Sequence, residues 1–175
     1  LHQCAVVGWD AAADLRRCSS TMARSAIYGG GCGGSVVLKG AIANSTSYCC
    51  ADNDAVSFTV GLTNSTIQGG AGADTMYFST DQSVSGNFIY GGDGDDTLNF
   101  AVAVNNQSIV SSDAGSDVLL FSSTVGNSSV FAGSGADSLV FTGSVSNTTI
   151  DLGLDNDTLS FASSVVSSTL KAFAG

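Results

Sequence analysis

Apolar residues in this chain fall into columns rather than runs. Two of them, separated by one variable residue, recur about every 20 positions: Val36 and Leu38, Val56 and Phe58, Met76 and Phe78, Leu98 and Phe100, Leu119 and Phe121, Leu139 and Phe141, Leu159 and Phe161. Apolar side chains two apart mark a strand with one buried face. A further column follows four places on, at Ile42, Leu62, Val84, Val104, Val125, Val145 and Val165. A last one closes each period, at Ile67, Ile89, Ile109, Val130, Ile150 and Leu170, with Ser47 as the exception. Each period thus predicts a first strand, a turn, a second short strand and a Gly/Asp turn back. No single period can bury its own apolar face, so the pattern predicts an all-β, parallel β-solenoid of the β-helix or β-roll type. Stacked coils would set Phe on Phe and Val on Val.

The polar positions share the register. A ten-residue segment reads GGAGADTMYF from Gly69, GGDGDDTLNF from Gly91, SDAGSDVLLF from Ser112, AGSGADSLVF from Ala132 and LGLDNDTLSF from Leu152, with weaker copies from Gly29 and Cys49. These starts define seven coils over 29–175. The coil from Gly69 carries two extra residues, placed in the loop STDQSVSG, and the coil from Gly91 carries one. Neighbouring strands lie roughly 4.8 Å apart, so seven coils predict a rod roughly 35 Å long. Residues 1–28 differ: they hold Trp9, His2 and all three arginines. They read as an N-terminal cap or docking segment, with a short Ala-rich helix over 10–26 and Asp10 as its N-cap.

Composition supports turns over helices. Among 175 residues there is no proline and no glutamate, and all 15 acidic side chains are aspartate. Surface helices favour Glu and Lys, whereas Gly, Ser, Thr, Asn and Asp favour tight turns. No apolar run is long enough to span a membrane. The chain starts at Leu1 without methionine or a visible signal peptide and reads as a processed product. The net charge of -10 is unevenly spread: between Lys39 and Lys171 stand 13 aspartates and no basic residue. That excludes nucleic acid as an expected partner, since there is no basic footprint.

The sixth place of the segment carries Asp54, Asp74, Asp96, Asp117, Asp137 and Asp157; the first coil has Gly34 instead. Stacking puts these carboxylates one above another. Like charges at that distance, partly buried, repel by roughly several kcal/mol. A hard divalent cation between adjacent loops removes the repulsion, and a Gly-rich turn adds backbone carbonyls to the carboxylates. Ca2+ is therefore the expected cofactor. The competing reading is ordinary Asp-Gly turns in a metal-free solenoid.

GGAGADTMY and GGDGDDTLN fit the nonapeptide G-G-x-G-x-D-x-U-x, and on these residues the chain resembles the repeats-in-toxin family. The resemblance covers roughly 49–161. It implies a parallel β-roll that folds on binding Ca2+ between turns, in a protein secreted by bacteria. The nonapeptide occurs here once per coil, so the chain looks like a one-sided variant. Carried over by position, the ligands are Asp74, Asp96, Asp117, Asp137 and Asp157, with Asp54 at the weak end and Gly69 and Gly91 opening the two full copies. Asp52, Asp93, Asp95, Asp113 and Asp155 lie in the same loops and would either add oxygens or only solvate them. Six stacked aspartates leave five gaps, and five Ca2+ would offset the formal charge.

Cys4, Cys18, Cys32, Cys49 and Cys50 all fall in the first 50 residues and are disulfide candidates in an extracellular setting. The odd count leaves one thiol over. Zinc is disfavoured, with no C-x-x-C spacing and a single histidine. A polar column at Asn44, Asn64, Asn87, Asn106, Asn127 and Asn147, ending in Ser167, reads as a stacked asparagine ladder in a turn. Asn44, Asn64, Asn106, Asn127 and Asn147 are also N-x-[ST] sequons, so glycosylation is the other reading. Thr75, Thr97 and Thr158 are too interrupted for an ice-binding array, and no nucleophile–base set suggests an enzyme. AFAG starts an eighth coil and stops without a polar cap, so either more chain or a second copy stacked head to tail is expected there. The expected function is an extracellular, calcium-stabilised structural protein, a filament or surface-layer subunit. The alternative is a secreted adhesin or binding module of a larger protein, with a surface glycan as partner.

Overall fold

The computed structural model describes residues 6–7, 15–18, 22–24, 26–28, 33–49, 51–59, 61–79 and 83–173, with backbone alone at 6–7, 15–18, 22 and 27–28. It is a parallel β-solenoid of coils about 20 residues long, with no helix among the described residues. Each coil contributes to three sheets. Thr97–Phe100, Val104–Asn105 and Ile109–Ala114 represent one coil, in the first, second and third sheet respectively. Within every sheet the strand order follows the chain, and every pairing is parallel.

The first sheet forms as the apolar pattern predicts. Met76 pairs with Val56 and Leu98, and Phe78 with Phe58 and Phe100. Their side chains point inward and are wholly buried. The phenylalanines stack face to face from Phe58 to Phe161, with successive centroids 4.7, 4.5, 4.9, 4.6 and 5.2 Å apart. Burying one such side chain contributes about 1.5–3 kcal/mol. The spacing of the rings is the spacing of the strands, so one ladder sets the register of the other.

The closing apolar column proves to be a third strand, not the end of the second. Ile67 and Ile89 face inward, and the next inward residue is Gly69 or Gly91. One member of that column also changes. Ile89 pairs with Val110, which is buried, while Ile109 pairs with the outward Phe88. The extra residue of this coil sits at Asn106–Gln107, both at positive φ (54° and 63°), just before the strand. It shifts the following side chains by one place, and in a strand one place exchanges inside for outside.

The helix expected over 10–26 is not formed across its described part. Leu15–Cys18, Met22–Ala23 and Ala26–Tyr28 are strands that pair in register with Ser35–Leu38, Ile42–Ala43 and Thr46–Tyr48. A short helix gains little by itself, whereas the edge of Ser35–Leu38 offers a row of unpaired backbone groups to be met. The coil pattern therefore runs back past Gly29.

Candidate functional site

The sixth-place aspartate ends the Gly/Asp turn and immediately precedes the first strand. The turn needs backbone that only small residues tolerate. Gly92 has φ of 122°, and a Cβ there would strike the Gly70 carbonyl in the coil below. Asp52, Asp113 and Asp155 adopt φ of 71°, 72° and 82° in the same turns, a region that aspartate enters more readily than most residues.

Asp54, Asp74, Asp96, Asp117 and Asp137 are buried, none more than 6% exposed. Asp157, in the last coil, is half-buried. Each carboxylate accepts a backbone N–H from the sixth place of the preceding coil through Oδ1: from Gly34 to Asp54 at 2.8 Å, from Asp54 to Asp74 at 2.7 Å, from Asp74 to Asp96 at 2.8 Å, and onward to Asp157. The second oxygen, Oδ2, is buried without a hydrogen-bond partner in Asp54, Asp74, Asp96, Asp117 and Asp137. In the two full copies of the nonapeptide it packs against the Cα of the first-place glycine. A Cβ on Gly69 would meet Asp74 Oδ2 and the Gly91 carbonyl, and one on Gly91 would meet Asp96 Oδ2 and the Ser112 carbonyl.

Such a column resists ionisation. Burial pushes Asp54 from 3.8 up to about 6, opposed by the Gly34 amide and assisted by the charges of Asp74 and Asp52. It pushes Asp96 and Asp137 up to about 7, again opposed by the amide below and assisted by flanking carboxylates. Asp74 and Asp117 move the same way, and burial is again the main cause.

The other predicted positions are distributed differently. Asp93 and Asp95 are exposed, not buried with the column, though the charge of Asp95 acts on Asp117. Asp95 Oδ1 accepts the Ser116 N–H at 2.8 Å, which ties this turn to the equivalent turn of the next coil. Among the described residues no three His, Cys, Asp or Glu side chains converge as a metal cluster. A cation here would have to complete its shell with backbone carbonyls. The orphaned Oδ2 atoms and the carbonyls beside Gly69 and Gly91 fit that chemistry. Ser112 and Ala132, which carry side chains in the first place, narrow the same spot in their coils.

Cys49 is a buried thiol. The backbone of Cys18 is in the first sheet, and Cys4, Cys32 and Cys50 lie outside the described residues, so no disulfide is seen among those described. Asn44, Asn64, Asn106, Asn127 and Asn147 occupy one exposed corner at φ of 47–54°, the left-handed region that asparagine tolerates. Gly86, not Asn87, holds that corner in its coil, with φ of 65°. Asn87 belongs to a second ladder, one place further on, that sequence reasoning missed. There the Ser45 N–H donates to Ser65 Oγ, the Ser65 N–H to Asn87 Oδ1, the Asn87 N–H to Ser108 Oγ and the Thr148 N–H to Ser168 Oγ. Ser45, Ser65, Asn87, Ser108, Ser128 and Thr148 are all buried. The signal was available, because a Ser, Thr or Asn recurs there in every coil. Comparison with protein-family models, with curated proteins and with solved structures found no match to this chain.

Proposed function

We propose that this chain is an extracellular structural repeat protein, a rod braced along one corner by Ca2+. The observation that carries the proposal is the contrast between its two corners. Both tie coil to coil by a backbone N–H donating to a buried side-chain oxygen. At one corner Ser and Asn do this, so the bond itself requires no carboxylate. At the other corner every coil from Asp54 onward uses aspartate, and from Asp54 to Asp137 each adds a second buried oxygen that no protein group satisfies. A buried unpaired carboxylate is costly, and a retained one implies a counter-charge.

Asp54, Asp74, Asp96, Asp117, Asp137 and Asp157 would hold the ion through Oδ2, with backbone carbonyls of adjacent turns. When bound, Ca2+ supplies the positive charge that a stretch without Lys or Arg lacks. The one-sided resemblance to repeats-in-toxin nonapeptides supports the same reading, as does an extracellular setting, where calcium is abundant. The rod is further proposed to lengthen by coil-on-coil stacking. Every coil offers the same strand edges and apolar columns to the next, so one copy can stack on another head to tail. Calorimetric titration of the chelator-treated chain tests the metal: heat should saturate near one ion per gap of the column. No heat, with a melt unchanged by chelator, overturns it. Electron micrographs with and without calcium test the stacking, and a monomer at every concentration counts against it.

A further inference from the structure

The outward face of the third sheet carries a second regular array, independent of the aspartate column. One row runs Tyr48, Gln68, Tyr90, Ser111, Phe131, Asp151 in successive coils, in direct register. Tyr28 precedes Tyr48 directly in this register; from Tyr48 onward aromatic residues occupy alternate coils, with polar residues between them. Two strand spacings separate the rings by about 10 Å. The adjoining outward row supplies Thr46, Thr66, Phe88, Ile109, Ser129 and Thr149. Phe88 is 43% exposed. With Tyr90 two places along the same strand and Ile109 beside it, it forms part of a contiguous apolar patch, the kind of surface that marks a binding face.

We infer that this face binds an extended, uncharged β-1,4-linked polysaccharide lying along the rod. In such a chain successive sugars are turned over, so every second sugar presents the same face to a flat surface. Its disaccharide step is close to the spacing of Tyr48, Tyr90 and Phe131. The apolar C–H face of a pyranose packs on an aromatic ring as any apolar surface does. Gln68 and the threonine hydroxyls stand where they can donate to and accept from the equatorial hydroxyls. Charge points to the same ligand class. The two rows themselves bear no charged side chain from Thr46 to Phe131; Asp93 and Asp113 stand beyond them at the turn end of the strands, where Asp113 accepts the Ser111 hydroxyl, and at the end of the row Asp151 pairs with Lys171 at 3.7 Å. Polyanions would meet the remaining acidic surface of the chain and be repelled.

The test is depletion of the full chain from solution by insoluble cellulose and chitin, with amylose as the α-linked control. Depletion is expected on the β-linked polymers only. Tyr90→Ala with Phe131→Ala should weaken it by roughly tenfold or more, as loss of central aromatic anchors does. Tyr77→Ala, an exposed aromatic on the first sheet, should leave it unchanged. Circular dichroism melts of all variants report folding separately, and assays in calcium and in chelator separate this face from the metal proposal. Equal depletion on amylose, or retention by the folded double variant, overturns the inference. So does loss of self-association, rather than of glycan binding, in that variant.

Discussion

Acidification should act in opposite directions on the metal-free and the calcium-loaded rod. Asp54 titrates at about 6 in the folded chain, and Asp96 and Asp137 at about 7, against an ordinary 3.8. A raised folded value means that the folded form binds the proton more tightly. The stability linked to that proton is complete below 3.8 and is lost as pH rises through 6 to 7. Moving one carboxyl from 3.8 to about 7 costs the ionised folded state about 4 kcal/mol. Domain stabilities are roughly 5–15 kcal/mol, so two such groups ionised without a counter-charge would remove a large share. In chelator, lowering the pH from 8 to 5 should therefore raise the melting temperature: about 2–3 kcal/mol is regained at each of Asp96 and Asp137 over that range, a shift on the order of 5–10 °C each, with less from Asp54. With saturating calcium the counter-charge is already present at pH 8, and acid competes with the metal. The calcium-minus-chelator difference should be largest at pH 8 and close to zero at pH 5. Melts followed by circular dichroism across that range provide the measurement. A chelator-treated chain that loses stability on acidification, or identical profiles with and without calcium, would refute the reasoning.

Asp96→Asn keeps an oxygen for the Asp74 N–H and removes the buried charge, so it should raise the chelator melt at pH 8 while lowering the calcium stoichiometry; a simple loss of stability in both conditions would contradict this. Phe100→Ala opens the centre of the ring stack and should cost about 3–5 kcal/mol in denaturant unfolding at any calcium level. Asn87→Ala leaves the buried Ser65 N–H and Leu62 carbonyl without Asn87, which should cost about 1–3 kcal/mol per buried group left unpaired. Amide exchange at Ser65 should accelerate in that variant before exchange at residues four coils away.

The apolar columns were legible because stacking repeats the same environment at the same place in every coil. Met76, Leu98 and Leu119 could be assigned to one ladder without any structure. Insertions hid the rest. One extra residue in the coil from Gly91 could have fallen anywhere in its turns, and its position at Asn106–Gln107 decided that Val110, not Ile109, faces inward. The two extra residues before Val84 likewise obscured which of Gly86 and Asn87 holds the corner. The third sheet was concealed because its second inward place is Gly69 or Gly91, where no side chain signals burial. The N-terminal strands were concealed because Arg16 stands in register with Val36. The aspartate column was legible as a column. That its Oδ1 is taken by a backbone N–H, leaving only Oδ2 for anything else, depends on side-chain direction and could not be read from spacing.

The column also divides the rod energetically. In a solenoid each coil touches only its neighbours, so a local charge problem has a local solution. Between Gly34 and Asp54 there is one carboxylate and hence no like-charge pair. That step rests on Val36 over Val56 and Leu38 over Phe58, with the Gly34 N–H on Asp54 Oδ1. Each later step, from Asp54–Asp74 to Asp137–Asp157, brings two carboxylates together. On the proposed reading, a counter-ion serves these five steps and none before them. Opening any one of the five would expose strand edges on both of its neighbours, which couples the steps. Five weak sites coupled through shared edges would respond to calcium more steeply than one site of the same affinity, while the coils before Asp54 remain stacked without it.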